Sequence, residues 1–173
     1  MLSDAQISGA AKAHPLRAHF VIPATFLDVR QGLLALMASA LVQNLPEDSH
    51  GTTELALAEA LNNVVEHAYA TYSGQIEISV QREPHQLHVQ IIDTGLPLPG
   101  AQPPYCDMSD TDTIADLPEG GFGWCLIRSL VQNLTYGRER GRNMLTFGIA
   151  VVNQSEFTGL VPQGSGLIAR IVR

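Results

Sequence analysis

The 173-residue sequence is poor in basic residues, and Lys12 is its only lysine. Ten Lys and Arg residues against 17 Asp and Glu residues give a formal net charge of −7 at pH 7. Surfaces that bind nucleic acid need clustered Lys and Arg, so this balance argues against direct binding of DNA or RNA. The lack of other lysines also excludes a P-loop, because the lysine of that motif contacts the phosphates.

The sequence has only two cysteines and no long apolar run. Cys106 and Cys125 form no CxxC pair, which argues against a disulfide framework or a cysteine zinc site and favours a reducing cytoplasm. No apolar stretch is long enough to span a membrane, and neither a signal-peptide pattern nor an HExxH zinc motif is present. We therefore expect a cytoplasmic protein without membrane contact.

The most informative segment is ELALAEALNNVVEHAYA, residues 54–70, which has the apolar spacing of an amphipathic helix. Glu59 and Asn63 lie one turn apart on its polar side, so their side chains are predicted to be neighbours. A carboxylate beside a carboxamide oxygen can hold a divalent cation and leave a base for proton transfer. A solvated polar face has the same pattern, and this helix alone leaves both interpretations open.

Two alternating segments, residues 75–81 and 87–92, predict neighbouring antiparallel strands. The sequence Asp93-Thr94-Gly95 follows the second strand. Asp93 can accept a hydrogen bond from an exocyclic amine such as that of adenine, and Gly95 lets a flat ring approach the backbone. A plain strand-to-turn junction is the alternative explanation of this short motif.

The sequence GGFG at residues 120–123 precedes an apolar helix predicted over residues 124–134. Glycine amides and the positive end of a helix form a suitable site for phosphate, although a flexible joint would have a similar sequence. The preceding residues, 98–119, are rich in Pro and Asp. So long a loop in a compact domain indicates a functional or a disordered segment.

We expect one α/β domain over residues 16–152, a two-layer α+β sandwich. Its mixed, mostly antiparallel sheet is predicted to carry helices on one face. Residues 1–15 are predicted to be a flexible N-terminus. Residues 153–173 form a tail for which a linker remnant, native sequence and an extra edge strand all remain open. The further elements predicted are a strand over 17–23, a helix over 25–45, a loop over 46–51, a helix N-cap at Thr52, and a final hairpin of 134–138 and 143–152.

The order of these motifs resembles the ATP-binding domain shared by gyrase, Hsp90, sensor histidine kinases and MutL, the histidine-kinase-like ATPase fold. The motifs in question are ExxxN on a helix, DxGxP after a strand, a long loop, and GGxG before a helix. Within this superfamily the chain is most similar to the anti-sigma-factor serine/threonine kinases of bacterial partner-switching systems, over residues 17–152. We see no phosphoacceptor or transducer region, which favours this branch over the larger relatives.

The resemblance implies ATP and Mg²⁺ as cofactors. It identifies Glu59 as the catalytic base and Asn63 as the residue that binds magnesium. It further identifies Asp93 as the residue that recognises adenine, with Gly95 beside the ring.

The resemblance also implies that Gly121 and Gly123 bind the phosphates and that residues 98–119 form an ATP lid. Arg30, in the first helix, is the candidate for contact with the terminal phosphate. Two features depart from the family pattern: Trp124 replaces the usual leucine, and the lid has acidic residues but no Lys or Arg. Phosphate contacts are therefore expected from backbone amides, Mg²⁺ and Arg30 or Arg128.

The function that this resemblance implies is phosphorylation of a small anti-anti-sigma protein, combined with sequestration of a sigma factor or an analogous regulator by a homodimer. An ATP-binding partner-switching module without efficient kinase activity is the first alternative. A free-standing relative of the histidine-kinase catalytic domain is the second. Glu59 favours the kinase, because a module that only binds nucleotide needs no base.

Overall fold

The computed structural model describes residues 16–105 and 122–151. Within these ranges, five strands and four α-helices follow one another in an order that begins and ends with strands. A π-helix over Val64–Ala68 extends the third helix, and a short 3-10 helix covers Pro99–Ala101. The elements are β1 (Arg17–Pro23), α1 (Phe26–Met37), α2 (Ala40–Gln43), α3 (Glu47–Asn63), β2 (Gln75–Arg82), β3 (Gln86–Asp93), α4 (Phe122–Leu130), β4 (Gln132–Glu139) and β5 (Arg142–Ala150).

The strands form one sheet in the order β1-β2-β3-β5-β4. The two-residue alternation of apolar side chains in β2 and β3 places one set of residues on a buried face, as the sequence predicts. The predicted two-layer sandwich is confirmed. The sheet is more uniform than expected, because all four pairings among the described strands are antiparallel.

The helices cover the apolar face of the sheet, and the hydrophobic core lies between the two layers. Ile78 of β2, Val89 of β3 and Phe147 of β5 are almost completely buried there. They belong to the same apolar cluster as Leu57 and Leu61 of α3, which packs between α1 and α4. Burial of this face positions α3 across the sheet, with the C-terminal end of the helix near the end of β3.

Three predicted helix boundaries are wrong. The first helix ends at Met37, and α2 follows after a break at which the hydroxyl of Ser39 donates to the Leu36 carbonyl. The predicted loop over residues 46–51 is helical, because α3 begins directly after Pro46 with two acidic residues in its first turn. The last helix ends at Leu130, four residues early, and Asn133 has a positive φ of 53° at an irregularity in the following strand.

The π-helix after Asn63 shapes the region where α3 meets β3. Tyr69 donates its backbone N–H to the Val64 carbonyl, which is the i→i+5 pattern of a π turn. The Ala68 carbonyl then accepts from the backbone N–H of Leu96, just beyond β3. This hydrogen bond joins the end of the helix to the segment that follows Asp93.

Within the described ranges no helix combines the length and apolar character needed to cross a membrane. The predicted flexible start over residues 1–15 lies outside the described residues, as does the tail over residues 153–173 with its possible edge strand.

Candidate functional site

The polar side of α3 is not a simple solvated face. Glu59 is half-buried, and Asn63 is 8% exposed. The Nδ2 atom of Asn63 is buried without a hydrogen-bond partner among the described residues. Unsatisfied buried amides are rare in folded proteins and need an explanation, so Asn63 is a candidate ligand-binding residue.

The start of α4 faces these two side chains. An ideal Cβ built on Gly123 would lie 2.9 Å from Glu59 Oε2 and 3.5 Å from Asn63 Oδ1. A side chain at position 123 would therefore clash with the Glu59 carboxylate. The structure thus brings together two motifs that are about sixty residues apart in the sequence, and it explains why a glycine stands at this position.

A cavity of about 410 Å³ extends from Asn63 towards the end of β3. Its volume falls within the usual range for small-molecule sites. Asp93 lines it, together with the π-helix and the first residues after β3. Glu59 does not line it and lies beside Asn63 at its edge. The lining residues include Asn63, Val64, His67, Ala68, Asp93, Leu96, Leu98, Trp124, Tyr136 and Asn143.

Asp93 is 6% exposed and held by two hydrogen bonds to the same oxygen. Its Oδ1 accepts from the Gly95 backbone N–H at 2.8 Å and from Asn143 Nδ2 at 2.7 Å. Burial raises the pKa of the Asp93 carboxyl, while these two hydrogen bonds and the charge of Arg138 lower it by a smaller amount. Since no described residue donates to Oδ2, that oxygen is available to a ligand in the cavity.

Gly95 has a different structural role from the one predicted. It is buried, and it is not among the described residues that line the cavity. An added Cβ would lie 2.5 Å from the Ala68 carbonyl oxygen. The glycine therefore permits close packing of the turn against the π-helix. Tyr69 reinforces the same junction, because its hydroxyl accepts from the Thr94 N–H and donates to the Gln75 carbonyl.

Sequence reasoning missed three residues of the site. Asn143, Tyr136 and Arg138 come from the last hairpin and reach Asp93 or its neighbours through side-chain hydrogen bonds. No local motif marks them. The register of β5 against β3, in which Asn143 pairs with Asp93, is the feature that brings them there.

Neither arginine proposed for phosphate contact has a hydrogen bond or ion pair to Glu59, Asn63 or Asp93 among the described residues. Arg30 is exposed on α1, and within the described residues no hydrogen bond or ion pair joins it to the site. Arg128 uses its guanidinium group to donate to the Pro103 and Pro104 carbonyls, at 2.7 Å each. It therefore anchors the chain after β3 to α4. Gly121 and most of the predicted lid, from residue 106 onwards, lie outside the described residues.

Trp124 and Cys125 lie side by side at the start of α4. Trp124 is 5% exposed and forms part of the cavity wall, so its large ring is accommodated by the site. Cys125 is disulfide-bonded, whereas the sequence argued against a disulfide framework.

The residues present are suited to a magnesium–nucleotide complex more than to a metal ion alone. No cluster of three or more His, Cys, Asp or Glu side chains that could hold a metal occurs in the described part of the chain. Mg²⁺ is commonly held by one or two protein oxygens together with substrate phosphates. The unpaired atom of Asn63 is Nδ2, a donor that can hydrogen-bond a phosphate oxygen, and Oδ1 of the same amide, near the Glu59 carboxylate, is an oxygen of the kind that Mg²⁺ takes.

Two curated bacterial kinases are similar in sequence to this chain. The kinase BtrW of Bordetella bronchiseptica, named a serine/threonine-protein kinase, is 31% identical over 99 residues, which cover 55% of this chain and 66% of that protein. The serine-protein kinase RsbW of Bacillus cereus is 30% identical over 97 residues, 53% of this chain and 59% of that protein. The chain thus spans less than two thirds of the length of these curated relatives.

Among solved structures, a blue-light activated histidine kinase of Erythrobacter litoralis has a TM-score of 0.49 and 19% identity, covering 74% of this chain and 41% of that chain. The sequence model of the histidine kinase-like ATPase domain matches residues 22–149, which is most of the chain. The chain therefore belongs to the histidine kinase-like ATPase domain family.

Proposed function

We propose that the protein is an ATP-dependent protein serine/threonine kinase that requires Mg²⁺. In this proposal it phosphorylates a small anti-anti-sigma protein and sequesters a sigma factor or a similar regulator. Membership of the ATPase domain family supports the use of ATP. The names of relatives at about 30% identity, which are serine or serine/threonine kinases, support the transfer to a protein hydroxyl.

Each site residue has a distinct task in this proposal. Asp93 accepts a hydrogen bond from the adenine amino group in the cavity. Asn63 would provide an amide oxygen to Mg²⁺, and the start of α4 at Gly123 would provide backbone N–H groups for the phosphates. Bound Mg²⁺ would neutralise charge on the phosphates during transfer.

Glu59 is the residue that turns binding into catalysis. It accepts the proton of the attacking serine or threonine hydroxyl while the new O–P bond forms and the bond between the β- and γ-phosphates breaks, releasing ADP. The observation that carries the proposal is the contact of Glu59 with the Gly123 position, next to Asn63. A site that only binds nucleotide does not need the Glu59 carboxylate at the glycine-rich start of α4.

We further propose that the protein acts as a homodimer. Several large apolar side chains on β1 and α1 are at least half exposed, among them Val21, Phe26, Leu27 and Leu34. The exposed apolar side chains of α1 are typical of an interaction surface. We assign this surface to a second copy of the chain because the family resemblance implies a dimer.

The experiment that tests the function combines a binding and a transfer measurement. The chain has one tryptophan, Trp124, which lines the cavity, so its fluorescence should change when Mg²⁺-ATP binds. Transfer is measured with γ-labelled ATP and purified candidate antagonist proteins encoded near the gene. Binding together with phosphoserine or phosphothreonine on one candidate is the expected result. Binding without transfer to any candidate would favour the switching module, and no binding would overturn both.

A further inference from the structure

Asn143 lies directly opposite Asp93 in the sheet and is 3% exposed. Its Nδ2 group donates to Asp93 Oδ1 at 2.7 Å and to the Leu96 carbonyl at 3.0 Å. A longer contact of 3.3 Å reaches the Gly95 carbonyl. The NH₂ group of this amide therefore faces only acceptors, and these belong to the carboxylate and to the turn that follows it.

The other end of the same amide faces only donors. Asn143 Oδ1 accepts from the Tyr136 hydroxyl at 2.7 Å and from Arg138 Nη1. A rotation that exchanged oxygen and nitrogen would place the oxygen against three acceptors and the NH₂ group against the guanidinium. The surroundings thus determine a single amide orientation.

This orientation decides which oxygen of Asp93 is left for a ligand. Oδ1 already accepts from Gly95 and Asn143, whereas Oδ2 has no donor among the described residues. Arg138 strengthens the arrangement, because its Nη1 also donates to the Gly95 carbonyl at 3.0 Å. Tyr136 connects it to the cavity wall, since its hydroxyl accepts from the Leu98 backbone N–H at 2.9 Å.

We propose that Asn143 and Arg138 are positioning residues for base recognition: by holding Asp93 Oδ1, they present Oδ2 to the amino group at C6 of a purine. A base with an amino group at C6 donates to this oxygen. A base with an oxo group there, as in guanine or hypoxanthine, would place an acceptor against a carboxylate. The proposal rests on ATP as the ligand of the cavity and adds the residues that set the preference for adenine.

The test compares two nucleotides in variants of Arg138. Mg²⁺-ATP and Mg²⁺-purine riboside triphosphate, which lacks the amino group, are titrated while Trp124 fluorescence is followed. Wild-type protein should prefer ATP by about tenfold or more, the usual effect of one hydrogen bond to a charged group. In Arg138→Met this preference should fall at least several-fold, while affinity for purine riboside triphosphate stays within about twofold. Arg138→Lys, which keeps one donor, should restore part of the preference.

Arg140→Met is the matched control, because Arg140 lies in the same hairpin with its side chain 90% exposed. It should keep the wild-type preference. Asn143→Leu should lose the preference as Arg138→Met does, provided that its thermal unfolding remains cooperative. If Asn143→Leu does not unfold cooperatively, the Arg138 variants alone test the proposal, because the Arg138 side chain is exposed.

The outcomes separate the two proposals. If wild-type protein prefers ATP and Arg138→Met keeps the full preference, the positioning role is overturned and the ATP-binding function stands. Equal weakening of both nucleotides in Arg138→Met would indicate a merely structural role and would also overturn it. Absence of ATP binding in the wild-type protein would overturn the proposed function itself.

Discussion

Asp93 is buried in the cavity with one oxygen unpaired among the described residues, so it should dominate recognition of the base. Asp93→Asn replaces the charged carboxylate by a neutral amide, which presents either an NH₂ donor or an uncharged oxygen to the base. We expect ATP binding to weaken by about 1–3 kcal/mol, the cost of losing a hydrogen bond to a charged group. Isothermal titration calorimetry measures this directly. Unchanged ATP affinity in the variant would rule out Asp93 as the adenine-recognising residue.

Asp93 should also lower the free energy of unfolding at neutral pH. Burial raises the pKa of Asp93, so the folded chain binds that proton more tightly than the unfolded chain. The ionised carboxylate therefore lowers the free energy of unfolding above the raised pKa, and this cost is relieved as pH falls through it. Asp93→Asn should unfold at a higher temperature than wild type at neutral pH, and the difference should shrink in acid. A variant that melts earlier than wild type at neutral pH would contradict this.

Individual site residues were predictable only where a local motif marks them. Glu59 and Asn63 stand one helical turn apart, and Asp93 ends an alternating strand, so their positions follow from short-range periodicity. Asn143 is fifty residues from its partner Asp93, and its role depends on strand register. Arg30 is inferred only from its position in the first helix, and its side chain is exposed.

The packing of the start of α4 against α3 brings Gly123 next to Glu59 and so forms part of the site. Gly123→Ala places a methyl group 2.9 Å from Glu59 Oε2, and the flexible end of that side chain has to move. We expect phosphoryl transfer to fall at least tenfold because Glu59 is displaced. The higher helix propensity of alanine should leave the free energy of unfolding unchanged or raise it by up to about 1 kcal/mol. Transfer rate and thermal unfolding are measured on the same preparation.

Gly51→Ala provides the control for that substitution. Gly51 lies within α3, and an added Cβ there has no neighbour within 4 Å. This variant should gain about 0.5–1 kcal/mol of stability and keep the wild-type transfer rate. Equal transfer rates for Gly123→Ala and Gly51→Ala would contradict the role assigned to the contact between Gly123 and Glu59.

Element types were easier to predict than element ends. The strands β2 and β3 were found within one residue because their burial alternates every second position. The start of α3 was missed because Pro46 and Gly51 suggest a loop, yet proline is well placed before a helix and Gly51 is tolerated inside it. Leu134 continues the apolar pattern of the helix, but it lies in β4, where it packs against the hydrophobic core.

The exposed apolar side chains of α1 should hold two copies of the chain together. Leu27 is 65% exposed, and Leu27→Glu adds a charge to this helix surface. We expect this variant to be a monomer by light scattering at concentrations where wild type is a dimer, and to unfold cooperatively at a temperature that does not depend on protein concentration. Met144→Glu is the control, because Met144 is also exposed but lies on β5, three strands from β1. A wild-type protein that stays monomeric over a wide concentration range would rule out the proposed homodimer.

The proposed catalytic base Glu59 stands on α3 beside Asn63, the residue proposed to bind the magnesium–nucleotide complex, and Glu59→Gln separates catalysis from binding. The substitution keeps size and hydrogen-bonding capacity but cannot accept a proton at neutral pH. Phosphoryl transfer to the antagonist protein is measured together with ATP binding, followed by Trp124 fluorescence. The account predicts ATP affinity near that of wild type and transfer reduced about 100-fold or more. A Glu59→Gln protein that phosphorylates its partner at the wild-type rate would contradict it.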